Sequence, residues 1–303
     1  MTNTADKCSV MFNRYGGELI GYDVFDAPRN IAVPLLWNNN NSKPPKDGGW
    51  KNHATILFPL VGGLVNKQSK LGDVVIRTRS HHGFARHSMF ALAGQEEAED
   101  SAGIHYQLKP NEETREYYPF NFLLDLFYTL LGNKLTLAIQ VTNTDRRDIH
   151  FCFGWHPGFS TDLGLGGKKE DWQIIFAEGE YENYQVNDDC FLTGEIKKEH
   201  LAGPIRWDER TLERTILLAI AKKENRICKL YNPKLKRGVK VDFGDYPHFG
   251  IWAEEGQPFI CLEPWQGMDD HIEQEPFDKK VGIVKLSPGK DIIKKATIIP
   301  LLS

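Results

Sequence analysis

Two apolar runs in this chain each end in a residue that can move a proton. In QPFICLEPW, Glu263 stands between Leu262 and Pro264, and in IHFCFGWHPGF, His156 stands between Trp155 and Pro157. A carboxylate at the end of a hydrophobic strand costs desolvation free energy unless something pairs it or uses it. Alternation along a strand puts Phe259, Cys261 and Glu263 on one face and Ile260 and Leu262 on the other. The same counting groups His150, Cys152, Gly154 and His156 opposite Ile149, Phe151, Phe153 and Trp155, which have the character of core. Small neighbours leave room for a ligand beside each candidate, and Pro157 and Pro264 are expected to end the ladder just past them. A third candidate lies in HHGFARHSMF, residues 81 to 90. There His82 precedes a glycine and Arg86 follows four residues later, so a turn can aim an imidazole and a guanidinium into a common space. A carboxylate and an imidazole in one pocket form a general acid–base pair, each member giving typically about 10²- to 10⁴-fold. Taken singly, such residues are more often structural, and spacing alone does not bring the two strand ends together.

MDDHIEQE, residues 268 to 275, offers Asp269, Asp270, His271, Glu273 and Glu275 to a metal. Hard-ligand clusters of this kind are more often solvated polar loops, and that is the expectation here, with no metal site.

The elements that must position these residues are strands. In KLTLAIQVTN, Leu135, Leu137, Ile139 and Val141 alternate with Thr136, Ala138, Gln140 and Thr142, the pattern of a strand with one buried face. NFLLDLFYTLL precedes it, and Gly132-Asn133 supplies the turn of a hairpin. The same grammar recurs in DWQIIFAEGEY, GVKVDF, HFGIW and, after Ser287-Pro288-Gly289, in DIIKKATIIPL. Helical periodicity is scarce; DERTLERTILLAIAK reads as a short helix started by Asp208, its apolar end equally compatible with strand. Many short strands with Gly-, Asn- and Pro-rich loops predict an all-β, mainly antiparallel sandwich. WNNNNSKPPKDGGW, residues 37 to 50, is the most linker-like stretch, yet too little chain precedes it for a separate core, so a single domain over residues 1–303 is expected.

The 37 basic and 41 acidic residues give a net charge of −4, which provides no broad electrostatic footprint for nucleic acid or an anionic membrane. No apolar run is long enough to span a bilayer, and MTNTADKCSV lacks the regions of a secretory signal, so a cytoplasmic protein is expected. The five cysteines are scattered without a CxxC pair, which argues for buried free thiols over disulfides or a thiolate zinc site.

LLW at 35 to 37, ATILFPLVGGL at 54 to 64, HHGFARHSMF, FGWHPGF, HFGIW, ICLEPWQG and the late LSPG occur in an order that resembles the aldose 1-epimerase (galactose mutarotase) family, and within it the branch of LacX-type proteins. The resemblance implies a galactose-mutarotase-like β-sandwich (supersandwich) with an open sugar cleft. It implies Glu263 as general base, His156 as general acid and His82 as a second histidine near the ring oxygen of the sugar. The implied reaction interconverts the α and β anomers of an aldose and needs no cofactor. Its partner would be a small-molecule sugar, handled by a monomer or homodimer. The pair would work with Glu263 ionised and His156 protonated, each charge favouring the other. The chain departs from the family where galactose mutarotases read close to GRVANR: Gly62-Gly63-Leu64-Val65-Asn66-Lys67 replaces the first arginine by Gly63 and the second by Lys67. Lys67 and Asn66 are therefore expected in the cleft beside Arg86, with fewer directional donors for hydroxyls. Arg77, Arg79 and Arg86 are candidates for holding a phosphate, with a solvated strand face as the alternative for the first two. A noncatalytic sugar-binding protein, a hexose-phosphate mutarotase and a glycosidase or lyase are the competing functions; hydrolysis would call for a second carboxylate opposite Glu263.

Overall fold

Apolar side chains at every second position drive the chain into strands that bury one face each. A computed structural model describes residues 1–3, 8–37, 50–161, 168–206, 215–220 and 226–302. Leu135, Leu137, Ile139 and Val141 of Lys134–Asn143 are buried. That strand pairs antiparallel with Phe122–Leu131, Leu131 opposite Lys134, and Gly132 at the turn has a φ of 59°. The hairpin lies inside a nine-stranded sheet. Ser101–Leu108 and Ala91–Glu97 extend it on one side, and Asp291–Leu302, Arg237–Asp242, Ile227–Asn232, Gln173–Phe176 and Pro204–Arg206 on the other.

A seven-stranded sheet carries the candidate residues. Its strands in chain order are β1 (Ala54–Leu57), β2 (Phe153–Ser160), β3 (Gly179–Val186), β4 (Leu192–Leu201), β5 (Ile216–Ala219), β6 (His248–Trp252) and β7 (Phe259–Gln266). Their spatial order is β4-β3-β5-β6-β7-β2-β1, and every pairing is antiparallel. Leu126, Ile139 and Ile298 of the first sheet share one buried apolar cluster with Trp155, Ile251 and Leu262 of the second. Burial of these inner faces holds the two layers together as a sandwich. The one α-helix among the described residues, α1 (Glu112–Tyr117), starts at a reciprocal cap between Asn111 and Thr114.

Three expectations about elements need revision or fall outside the description. Residues 38–49 and 208–214 lie outside the described residues, so the long loop and the proposed helix start are not placed. The apolar end of DERTLERTILLAIAK is strand β5. The prolines do not end their strands: β2 continues to Ser160 and β7 to Gln266. They open a gap inside the sheet instead. β2 and β7 pair at Phe153–Gln266 and Gly154–Trp265, and pairing resumes at Gly158–Cys261. The three intervening positions on each strand include Pro157 and Pro264, which have no N–H to give a ladder. Each strand stays tied on its far side, Pro157 opposite Ala54 of β1 and Pro264 opposite Phe249 of β6.

Candidate active site

The gap between β2 and β7 is where the two proton-transfer candidates meet. Three residues are skipped on each strand, so the register is unshifted and His156 stands across from Glu263. The His156 Nε2 lies 3.1 Å from the Glu263 Oε2. Both side chains are buried, 5 % and 1 % exposed. Neither the His156 Nδ1 nor either Glu263 oxygen has a well-aligned hydrogen-bond partner in the protein. Two buried polar groups side by side without well-aligned hydrogen bonds call for an explanation, and a shared proton or a bound ligand supplies one.

They open on a cavity of about 270 Å³ that also receives Trp50, His81, His82, Arg86, Cys190, Thr215, Trp252, Trp265 and Asp269. His82 is brought there by backbone rather than by packing. His82 and Gly83 have φ of 69° and 71°, so the chain turns sharply and latches onto residues 58–62. The His82 N–H donates to the Gly62 carbonyl at 2.7 Å, and the N–H groups of Phe84 and Ala85 donate to the Phe58 carbonyl at 3.0 and 3.1 Å. A side chain at Gly83 would collide with that carbonyl, which explains the glycine. The Gly62 N–H donates to the His82 Nδ1 at 3.1 Å. The Nδ1 is thus an acceptor, so the neutral ring carries its proton on Nε2 and acts as a donor. Its ring centre is 5.2 Å from that of His156.

Arg86 follows from the same turn. With the Asn52 amide oxygen facing it, Asn52 accepts from the Arg86 Nη2 at 2.5 Å and from the Trp50 Nε1 at 3.2 Å. The Trp50 ring packs over His156 at 5.0 Å and against Trp252 at 5.7 Å. These two indoles form an apolar wall on one side of the cavity.

Burial governs the electrostatics. It drives the His156 imidazole down to about 3, with the nearby Arg86 charge a second cause. It pushes the Glu263 carboxyl well above the ordinary range, Asp269 adding to the rise while Trp265 and Arg86 oppose it. The Trp265 indole approaches without a well-aligned hydrogen bond. Burial thus works against the charged form of both groups, which opposes the mutual attraction that the sequence reading relied on. His82 is likewise held neutral, by burial and by the neighbouring His156 and Arg86.

Of the six residues singled out from the sequence, Glu263, His156, His82 and Arg86 converge on the cavity. Asn66 and Lys67 do not line it: both are exposed, with φ of 55° and 57°. Leu64 is buried and the Val65 N–H donates to the Asp270 Oδ2 at 3.0 Å, so the turn is held with its next two residues directed outward. Arg77 and Arg79 also lie elsewhere, along a separate groove with Glu113 and Tyr117. Arg79 is paired to Glu113 at 2.9 Å and stacks over Tyr117.

The reading of residues 268–275 as a solvated loop holds for Glu273 and Glu275, which are exposed, and fails for the two aspartates. Asp269 and Asp270 are 4 % and 2 % exposed. Asp270 is bound by Lys280 at 2.6 Å, and Asp269 accepts the Gly63 N–H at 2.7 Å and lines the cavity. Gly62 makes room for the Asp269 carboxylate, since a Cβ there would fall on it. Among the described residues the one cluster with metal-ligand spacing is His156, Cys261 and Glu263, whose donor atoms lie within 4.8 Å of one another. It coincides with the acid–base pair, not with residues 268–275.

A family model described as Aldose 1-epimerase matches residues 1–295. Protein LacX of Lactococcus lactis subsp. lactis, in its plasmid-encoded form, is 29 % identical over a 311-residue alignment that covers 97 % of each chain. Among solved structures, a galactose mutarotase related enzyme from Lactobacillus acidophilus superposes with a TM-score of 0.87 at 25 % identity, covering 99 % of this chain and 96 % of that one. A galactose mutarotase-like protein from Lactobacillus casei gives 0.82 at 24 % identity, covering 99 % of both.

Proposed function

The chain belongs to the aldose 1-epimerase family, and from that premise we propose that it interconverts the α and β anomers of a free aldose by general acid–base catalysis. The observation that carries the reading is the His156–Glu263 contact: two buried, unsatisfied proton carriers 3.1 Å apart at the floor of a sugar-sized cavity.

Ring opening removes the proton of the C1 hydroxyl and delivers one to the ring oxygen as the bond between C1 and that oxygen breaks. The open-chain aldehyde rotates about C1–C2, and the reverse transfers close the ring on the other face. Glu263 serves as the base and His156 as the acid. The pair shares a single transferable proton, and its passage from Glu263 to His156 yields the working form without exchange with solvent. Each turnover takes one proton and returns one, so the pair is regenerated and no net redox change occurs. His82 donates from Nε2 to the ring-oxygen side of the sugar, while Trp50 and Trp252 exclude water from one face and sharpen every electrostatic contact.

A neutral sugar fits better than a hexose phosphate. Arg86 is the one guanidinium among the described cavity residues, and it already faces Asn52 and lies near the Glu18 and Glu263 carboxyls. Arg77, Arg79 and Lys67 are directed elsewhere. Exchange spectroscopy by NMR on a panel of aldoses and hexose phosphates detects anomer exchange directly. The expected result is accelerated exchange for at least one free aldose; a protein that accelerates none of them would overturn the assignment and leave a sugar-binding role.

A further inference from the structure

Asp269 is a second carboxylate in the cavity, and the acid–base reaction makes no use of it. Its side chain is held in place from one end only. The Gly63 N–H donates to Oδ1 at 2.7 Å, and the carboxylate packs on the bare Cα of Gly62, whose φ of 69° suits glycine and whose missing side chain would otherwise occupy the same space. Among the described residues no donor is bonded to Oδ2. The neighbouring Asp270 takes Lys280 at 2.6 Å, the Val65 N–H and the Gln274 amide, so that ammonium is committed to Asp270. Asp269 also faces His81 and lies near enough to Glu263 to raise it.

We propose that Asp269 is a substrate-positioning residue: its free Oδ2 accepts hydrogen bonds from hydroxyl groups of a neutral aldose and excludes sugars that carry an anionic group on that side. This rests on the anomer-exchange reading of the cleft and deepens it by naming the substrate class. A carboxylate oxygen at the cavity wall with no donor among the described residues is stabilised by a ligand hydroxyl, and a site built to accept from a hydroxyl discriminates strongly against a sugar that lacks it. A phosphate placed there would meet the Asp269 side chain, while the one guanidinium among the described cavity residues, Arg86, already faces Asn52.

Asp269→Asn separates this role from a structural one. Asparagine keeps an oxygen for the Gly63 N–H but replaces the free acceptor by an NH₂ donor. We expect the KM of the best free aldose to rise roughly tenfold or more with kcat changed less, and the selectivity for free over phosphorylated sugar to fall. Calorimetric titration of the same sugar should show the same weakening, and it reads binding whether or not turnover occurs. A deoxy sugar lacking the hydroxyl that Asp269 holds should bind wild type weakly and be insensitive to the substitution. Unchanged KM, unchanged titration and unchanged selectivity in a folded Asp269→Asn protein would overturn the proposal. Should that variant not fold, the deoxy-sugar panel on wild type decides: one position should cost at least tenfold in affinity, and a flat panel overturns it. Wild type that binds sugars in this pattern without exchanging anomers would refute the catalytic reading and leave Asp269 as a binding residue.

Discussion

His156 and Glu263 stand across from each other on adjacent antiparallel strands, at the one stretch where the β2–β7 ladder is open. Paired strands bring opposite side chains close, and withdrawal of the ladder hydrogen bonds by Pro157 and Pro264 leaves both residues facing a cavity. At 3.1 Å the two groups are coupled, so a proton on one is felt by the other.

Groups acting as one unit are not additive. Glu263→Gln keeps shape but cannot accept the proton of the C1 hydroxyl, and His156→Asn cannot supply one to the ring oxygen. Each should lower anomer exchange by roughly 10²-fold or more, with sugar binding largely retained, and the double variant should be little worse than either single. Exchange-rate measurements on all three proteins test this; a Gln variant running at the wild-type rate would leave the carboxylate with a structural role.

Arg86 and Lys67 make opposite predictions. Lys67 is exposed and outside the cavity, so Lys67→Arg should leave the KM of every aldose unaltered. Arg86→Lys removes a planar fork from the cleft and should raise KM several-fold. Steady-state kinetics on both variants decide between this geometry and the alternative in which Lys67 stands in for a family arginine; tighter galactose binding by Lys67→Arg would favour the latter.

Much of this was legible in the sequence, for a definite reason. Period-two alternation in KLTLAIQVTN and a Gly-Asn turn specify a hairpin locally, and face counting correctly assigned Glu263 and His156 to the face opposite the core. The positions of Lys67 and Asp269 were not legible, because each depends on contacts between segments about 200 residues apart: Val65 with Asp270, and Gly63 with Asp269. The prolines were misread for a related reason. Proline withholds one hydrogen bond, but whether a strand ends there depends on its other neighbour, and β1 and β6 hold β2 and β7 in place.

The pH dependence of the rate follows from the proton count of the pair. In the proposed acid–base reaction its working form carries one proton, whichever residue holds it, so the two groups titrate as a coupled unit. A second proton goes onto His156, whose burial sets that step at about 3. Loss of the single proton is delayed by the raised Glu263 carboxyl. For the free enzyme, kcat/KM should therefore stay level from well below pH 6.5 down towards about 3 and fall on the alkaline side only above the ordinary carboxyl range. An acid limb near the usual histidine value of about 6.5 would show that His156 is not desolvated in solution.

Stability gives the opposite response to activity, and Glu263→Gln reveals it. The folded Glu263 carboxyl is raised above its unfolded value of 4.5, so below that value the folded and unfolded states are both protonated and the group makes no difference. As pH rises through 4.5, the unfolded chain loses its proton while the folded chain keeps it. The unfolded state then binds fewer protons, and folding stability declines until the folded group also ionises. The decline is on the order of 1.4 kcal/mol for each pK unit of the rise. Glutamine does not ionise and escapes it. Glu263→Gln should accordingly exchange anomers far more slowly yet melt at a higher temperature than wild type at pH 7, with the gain shrinking towards zero below pH 4.5. His156 contributes a slope of the other sign, because its depressed pKa destabilises the fold as pH falls from 6.5 towards 3, but it is common to both proteins and largely cancels in the comparison. Melting curves of the two proteins at pH 4 and pH 7 measure the difference directly. A Gln variant that melts lower than wild type at pH 7 would mean that the carboxylate anchors the Pro264-Trp265 strand and contributes to stability there.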